Sequence, residues 1–530
     1  MKPTVNEQSR DKPLPTSRLR YFFPIIRLIG VFFASLYALY TYVFPKPLLA
    51  RPLPQHTGPY AVGAIDIEAP VSPPRTIHEA RLKASGEKVF ELETVLFTLY
   101  YPASPPSPDA KRHTWVPEPV SLRAQGYAKA AHLSNWFTNT LFTKVINAIV
   151  GDITIPAAVD VPLATPLPRS QLAEGDEQQV PTKENTPNDQ GRGFPVIIFS
   201  HGTVSARTDY SHFAGELAAR GHVVVMLEHR DGSSPGTIIR PPNRPPRTRL
   251  LFDISEVELP NSPHPLTLEE FHTTQLAFRE AEISEAVRIL NLINTGHGPE
   301  LLSTNPFTEG ATLSDWTSRL DTNSMIIAGH SYGATTALQT LRNGPSPALP
   351  FHGAFILDPG KQSGPLNSDV HVPLLIIHSN TWSRKGRSLF YGRAHFDTVK
   401  DIVTANNARG NASWFMTSLG TSHPSVTDAP LLEPWLLSFT TGATIDVYQG
   451  LRQYVHVAED FLGFLAGEGM RGLLVEKAEF PEFDEGAALG LGKPGQGGRR
   501  GVWERVKMGG EDWRRYWQIH VSAVGDAGKQ

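Results

Sequence analysis

The chain of 530 residues is 40% hydrophobic, enough for a large core, and its formal net charge of −3 without a strongly basic folded segment argues against nucleic acid as a partner. It contains no cysteine, which excludes disulfides, thiolate zinc sites and a cysteine nucleophile together while leaving the redox compartment open. Residues 1–20 are polar and basic, with Lys2, Arg10, Lys12, Arg18 and Arg20. Residues 21–45 then read as a transmembrane signal anchor: Leu28 to Phe44 carries no charge, and Arg27 can snorkel to the headgroups. Tyr37, Tyr40 and Tyr42 suit an interface, and no small-x-small cleavage site follows, which favours an uncleaved anchor over a signal peptide. The basic flank lies on the N-terminal side. The positive-inside rule therefore predicts a single-pass protein with the bulk of its chain luminal or extracellular.

Residues 46–57 read as a tether, and the proline-rich stretch from Pro52 to Pro74 reads as a tether as a whole, although Gly58 to Ala64 already resembles packed structure. Val89-Phe90 and Thr94 to Tyr101 are rich in β-branched and aromatic residues and predict strands that open a mixed sheet. Between Gly126 and Val150, Leu133, Trp136, Phe137, Leu141, Val145 and Ile149 recur at helical spacing. Such a helix lies either on the core or, through Trp136 and Phe137, on a lipid surface. Residues 162–193 are polar, rich in proline, and without period; they read as a disordered insertion.

Pro195 to Phe199 is a buried strand running into Ser200-His201-Gly202-Thr203. A helix from about Tyr210 to Arg220 and the strand Val223 to Leu227 complete a right-handed β–α–β unit. Its glycine lets the next backbone N–H face a substrate, so Thr203 is a candidate oxyanion donor, whereas His201 and the His229-Arg230-Asp231 triplet read as structural. Pro235 to Pro263 is irregular. The helix from about Leu266 to Asn294 turns one apolar face to the core and predicts packing rather than chemistry.

The stretch that carries chemistry is Ser324 to Ala328, a buried strand, followed by Gly329-His330-Ser331-Tyr332-Gly333 and a helix start. This is Gly-x-Ser-x-Gly in its strand-to-helix setting, where Gly329 and Gly333 admit the sharp elbow and Ser331 is the nucleophile. The helix N-terminus adds the Tyr332 N–H as second oxyanion donor. A serine needs a base, and the base a carboxylate. Phe355-Ile356-Leu357 ends in Asp358 at the carboxyl end of the neighbouring strand, with Asp397 in reserve. Gly420 to Pro424 is a small polar loop after a final strand, which favours His423 over His378. No cluster at metal-ligand spacing is found, and the mechanism calls for no metal or cofactor.

Taken together, Gly58-Pro59-Tyr60-Ala61-Val62-Gly63, Phe199-Ser200-His201-Gly202, Leu227-Glu228-His229-Arg230-Asp231, Gly329 to Thr335, Leu357-Asp358 and Ser422-His423 resemble the plasma-type platelet-activating factor acetylhydrolases in order and spacing. The resemblance covers roughly residues 58–440. It implies an α/β-hydrolase fold, with a mostly parallel central sheet flanked by helices. It also implies a calcium-independent esterase acting on short or oxidised sn-2 acyl chains of phospholipids. Ser331, Asp358 and His423 match the family triad, Thr203 and Tyr332 its oxyanion positions, and the Trp136 helix falls where members carry a membrane-contacting helix. Four features depart from the pattern: Tyr332 stands for a usual phenylalanine, Ala334 for a usual glycine, the insertion is extra, and the anchor replaces a plain secretory signal.

The catalytic domain is therefore placed at residues 58–465, with Val447 to Leu465 as a closing amphipathic helix. Residues 466–530 read as a glycine-rich linker and a tail in which Trp503 to His520 forms a short helix that docks either on the domain or on a membrane surface. Oligomeric state is left open. Two alternatives fit the same residues: a general lipase or carboxylesterase of this fold, and an inactive membrane-tethered scaffold.

Overall fold

The computed structural model describes residues 50–167, 193–260, 262, 264–384, 389–390, 393–486 and 511–524, together with Phe32, Ser35, Leu36 and Leu39. In chain order the strands are β1 (Ala61–Leu82), β2 (Lys88–Ala103), β3 (Arg112–Thr114), β4 (Thr154–Val159), β5 (Phe194–Ser200), β6 (Val223–Glu228), β7 (Gly236–Ile239), β8 (Arg247–Leu250), β9 (Val257–Glu258), β10 (Leu320–His330), β11 (Phe351–Leu357), β12 (Leu374–Ser379), β13 (Leu389–Phe390), β14 (Arg393–Ala394), β15 (Ser413–Ser418) and β16 (Trp517–Val521). One 12-stranded sheet runs β16-β15-β12-β11-β10-β5-β6-β2-β1-β4-β3, with β9 on β1; β7 with β8 and β13 with β14 form separate ribbons.

The centre of the sheet, from β15 to β6, is parallel throughout. Parallel strands need cover on both faces, and their sequences are accordingly continuous apolar runs. In β5, Val196 and Ile198 join one core cluster, which includes side chains of the Leu268–Asn294 and Tyr332–Thr340 helices. Ile197 and Phe199 join the other, with the Ser211–Ala218 and Val447–Leu465 helices. Each such side chain contributes roughly 1.5–3 kcal/mol on full burial, so a charge at Ile198 would break the sheet. From β5 the chain crosses to β6 on one side and later returns to β10 on the other. The carboxyl ends of β5 and β10 thus flank a topological switch point, where open α/β sheets hold ligands. The architecture is α/β-hydrolase-like.

Several expectations need correction. The stretch up to Pro74 is no tether beyond residue 60: β1 pairs antiparallel with β2 from Ala61, and the prolines fall where the register shifts between Pro70 and Arg75. A bulge spares proline the ladder donor it lacks. Residues 51–57 also dock, since the Arg51 N–H donates to the Leu432 carbonyl and Thr57 Oγ donates to Glu216. The start of the insertion packs too, with Leu163 and Ala164 buried; residues 168–192 lie outside the described residues. The single helix expected over 126–150 is two, Val120–Ala130 and Trp136–Val150, separated by His132 at φ 56°.

The tail holds a strand rather than only a helix. A 3₁₀ turn, Glu511–Tyr516, leads into β16, which pairs antiparallel with β15 and buries Trp513, Trp517 and Ile519. This strand covers what would otherwise be an open sheet edge. The folded domain built on this sheet therefore extends beyond residue 465. Among the described residues no helix is long and apolar enough to cross a membrane. The anchor at 21–45 lies almost wholly outside them: only Phe32, Ser35, Leu36 and Leu39 are described, as helical and exposed.

Candidate active site

Ser331 caps the Tyr332–Thr340 helix with φ 56° and ψ −119°, a backbone conformation rare outside glycine and costing on the order of 1–3 kcal/mol. Its N–H donates to the Leu357 carbonyl at 3.0 Å, which pins the turn to β11. Both flanking glycines are required sterically. A Cβ on Gly329 would lie 2.3 Å from the Gly333 carbonyl oxygen, and one on Gly333 would lie 1.9 Å from that of Ser200. Alanine at either position would force backbone apart.

Asp358 follows β11 directly, at φ 47°, and its N–H donates to the Ile377 carbonyl at 2.9 Å. Its carboxylate is buried and fully engaged. Oδ1 accepts from the Ser379 N–H at 2.6 Å, and Oδ2 accepts from Ser379 Oγ at 2.7 Å and from His423 Nδ1 at 2.9 Å. His423 opens a 3₁₀ turn behind Ser422, and its own N–H donates to Thr381 Oγ1 at 3.1 Å. From there Nε2 reaches Ser331 Oγ at 3.1 Å. With Nδ1–H donated to the carboxylate, Nε2 is left to accept from the serine hydroxyl. The three sequence candidates thus converge into one line of hydrogen bonds, while Asp397 lies on the His395–Ala408 helix and His378 is fully buried within β12.

The loop after β5 lies against Ser331: a Cβ on Gly202 would stand 3.0 Å from Ser331 Cβ. Among the described residues neither the Thr203 nor the Tyr332 N–H has a protein acceptor. Beneath the loop, His201 Nδ1 meets its neighbour's Gly202 carbonyl at 2.8 Å, and its Nε2 accepts from the His229 N–H at 3.1 Å. Burial, and then the charge of Arg279, holds His201 down at about 4 and neutral. His229 bridges Ser200 Oγ at 2.6 Å and Glu282 Oε2 at 2.6 Å. That line has the composition of a second triad. All three residues are wholly buried, however, so it supports the loop rather than meeting a substrate.

A family model described as platelet-activating factor acetylhydrolase, isoform II, matches residues 169–468, more than half of the chain. The chain belongs to this family. Among curated relatives, a platelet-activating factor acetylhydrolase of Cavia porcellus is 26% identical over 62% of this chain and 60% of its own. A putative phospholipase A2 of Schizosaccharomyces pombe is 26% identical over 54% and 58%, and the Bos taurus platelet-activating factor acetylhydrolase 28% identical over 46% and 46%. The chain thus spans about half, at most 60%, of the length of these relatives. A solved ferulic acid esterase from Streptomyces cinnamoneus aligns at 15% identity over 81% of this chain and 96% of that one, with a TM-score of 0.46.

Two departures from the acetylhydrolase pattern have physical accounts. The Tyr332 hydroxyl donates to Gln275 Oε1 at 2.7 Å, and Arg279 lies 4.3 Å over its ring. Ala334 is wholly buried in the core cluster with Ala337 and Leu338, where its methyl is accommodated. The Leu268–Asn294 helix therefore does more than pack: Gln275, Arg279 and Glu282 form a buried polar face, and Arg279 binds Asp231 at 2.7 Å and the His201 carbonyl at 2.9 Å. The apolar period of this helix predicts packing alone. Ser379 and Trp382 were also missed; the apolar strand ending in His378-Ser379-Asn380 lacks an acid, but it supplies two donors to Asp358. Trp382 stacks on His423 with ring centroids 3.8 Å apart.

His330, Asp358 and His423 also bring one donor atom each within 4.8 Å of one another, as a metal site would. Both His423 nitrogens and both Asp358 oxygens are already engaged in hydrogen bonds. His330 Nδ1 faces the Tyr210 hydroxyl at 2.8 Å. These commitments fit proton transfer at Ser331 better than ligation.

Proposed function

We propose that this chain is a serine esterase that removes acetyl or other short or oxidised acyl groups from the sn-2 position of phospholipids. The observation that carries the reading is the aligned pair of contacts at His423, Nδ1 to Asp358 at 2.9 Å and Nε2 to Ser331 at 3.1 Å. Ser331 Oγ attacks the ester carbonyl carbon while His423 Nε2 takes its proton, and Asp358 stabilises the imidazolium. The carbonyl oxygen, now anionic, accepts from the Thr203 and Tyr332 N–H groups, each worth about 3 kcal/mol in acyl-transfer sites. Collapse breaks the ester bond, and the departing sn-2 alkoxide takes the proton from His423. Water, deprotonated by the same imidazole, then releases the acid and regenerates Ser331. Choice of a phospholipid over other esters is supported by the family and by the names of the relatives.

Membrane attachment belongs to the same proposal. Residues 21–45 would anchor the chain once through a bilayer, with the catalytic domain luminal or extracellular. Trp136 and Phe137, 82% and 53% exposed at the start of the Trp136–Val150 helix, would rest on the lipid surface. Apolar side chains in such a position gain by leaving water for the interface.

The test is hydrolysis of a phosphatidylcholine with an sn-2 acetyl group against one with a long sn-2 chain, with and without a calcium chelator. Chelator-insensitive acetate release, lost in Ser331→Ala and weak on the long chain, supports the reading. Equal turnover of both chains points to a general lipase. No turnover by the wild-type chain overturns the esterase.

A further inference from the structure

We propose that Trp382 is a positioning residue for His423 and that Lys361 clamps the indole from its opposite face. The inference rests on the reading of His423 as general base. Trp382 sits in the helical turn Asn380–Ser383 that follows β12. Its ring lies 3.8 Å from that of His423 with only 9° between the planes. Its Nε1–H donates to the Pro359 carbonyl at 2.9 Å, so the indole is fastened to the residue next to Asp358. Lys361, in the same loop, donates from Nζ to the Trp382 carbonyl at 2.9 Å and stands 4.4 Å over the ring. An imidazole stacked at 3.8 Å fills its side of the indole. The ammonium therefore takes the other side.

His423 needs such a wall. It is half-exposed on a short 3₁₀ turn, and rotation about the bond to an aromatic ring is soft, with broad minima. Its two hydrogen bonds serve the chemistry only while the ring stays in their common plane, both as imidazole and, after taking the Ser331 proton, as imidazolium. A flat indole held at Nε1, at its carbonyl and over its free face restrains that rotation. The indole face also attracts the cation that forms.

The other groups facing the imidazole are known. Asp358, from the end of β11, contributes the contacting carboxylate. His330, from the elbow, lies 4.4 Å away with its ring tilted by 38°; burial holds it well below its ordinary value, so it stays neutral. His378, within β12, is held neutral by burial in the same way. Lys361 is screened from the imidazole by the indole between them.

The experiment is steady-state hydrolysis of p-nitrophenyl acetate, a soluble ester, by the full chain and its Trp382→Leu, Trp382→Phe, Lys361→Met, Lys361→Arg and Ser331→Ala variants. Trp382→Leu should lower kcat about thirtyfold with KM unchanged, and Trp382→Phe, which keeps a stacking face, should recover to within about threefold of wild type. Loss of the cation–π contact should also move the acidic limb of the kcat/KM profile to lower pH by about half a unit. Lys361→Met should cost kcat severalfold and Lys361→Arg restore it; this pair decides the matter if Trp382→Leu does not fold. Wild-type kcat in Trp382→Leu and Lys361→Met, or a change confined to KM, overturns the positioning role while a dead Ser331→Ala leaves the triad standing. Full activity in Ser331→Ala overturns both.

Discussion

Replacing Asp358 with asparagine is isosteric, yet the hydrogen bonds around it leave the amide no satisfactory orientation. In one, the amide oxygen accepts from the Ser379 N–H, now 2.6 Å from Oδ1, and the amide nitrogen faces His423 Nδ1, now 2.9 Å from Oδ2. Two donors cannot face each other, so His423 must give up its Nδ1 proton and carry it on Nε2, pointing at Ser331 Oγ. The base is then blocked. In the other orientation the amide oxygen faces His423, but its nitrogen confronts the buried Ser379 N–H, which costs about 1–3 kcal/mol. The first orientation is therefore preferred. The expected loss is about 10⁴ in kcat, or about 5.5 kcal/mol of transition-state stabilisation, with KM little changed. Steady-state kinetics on the sn-2 acetyl lipid, with circular dichroism to verify folding, measures it. Activity within tenfold of wild type in a folded Asp358→Asn protein would refute the reasoning.

Three further predictions concern stability and membrane contact. Burial holds His56 and His395 down at about 3 and His201, His212 and His520 at about 4, below the unfolded value of about 6.5. Between about pH 6.5 and 4 the unfolded chain binds the extra protons, so each histidine removes on the order of 1 kcal/mol of stability per unit of acidification. Asp209 and Asp428, pushed up by burial to about 7 and about 6, act in the opposite sense and offset only part. Thermal melts should show Tm falling steadily from pH 7 to 5; a Tm that rises would contradict this. Deleting residues 511–530 removes β16 and the buried Trp513, Trp517 and Ile519, each worth roughly 1.5–3 kcal/mol. The truncated chain should be aggregated or melt far lower, as size exclusion and calorimetry would reveal. In a chain begun at residue 46, without the expected anchor, Trp136→Asp with Phe137→Asp should reduce sedimentation with phosphatidylcholine vesicles at least tenfold while hydrolysis of soluble p-nitrophenyl acetate persists; unchanged sedimentation would refute a lipid-facing role for that helix.

The elbow was legible because it needs residues of fixed type at fixed spacing: two glycines whose absent Cβ atoms make room for backbone at 2.3 and 1.9 Å. The parallel strands announced themselves as continuous apolar runs, since both faces are covered. Asp358 and His423 followed from their position at strand ends. What the sequence hid depends on distant partners. A stretch as rich in proline as Pro70 to Pro74 reads as linker until β2 supplies a ladder around its bulge. The short run Trp517 to Val521 has too little pattern to announce a strand before β15 offers an edge. Arg279 and Glu282 resemble a solvated helix face because helical period does not reveal which partners desolvate it. Nothing in the sequence around Trp382 points to the site, and only tertiary packing brings it to 3.8 Å from His423.

The central claim is that Ser331 is the nucleophile of a Ser–His–Asp esterase. Reaction of the full chain with a fluorophosphonate, followed by peptide mass spectrometry and titration of residual ester hydrolysis, tests it most directly. The account predicts one adduct per chain, on the peptide containing Ser331, with activity lost in proportion to labelling and no adduct in Ser331→Ala. An adduct on another serine, or complete hydrolysis surviving full labelling of Ser331, would contradict it.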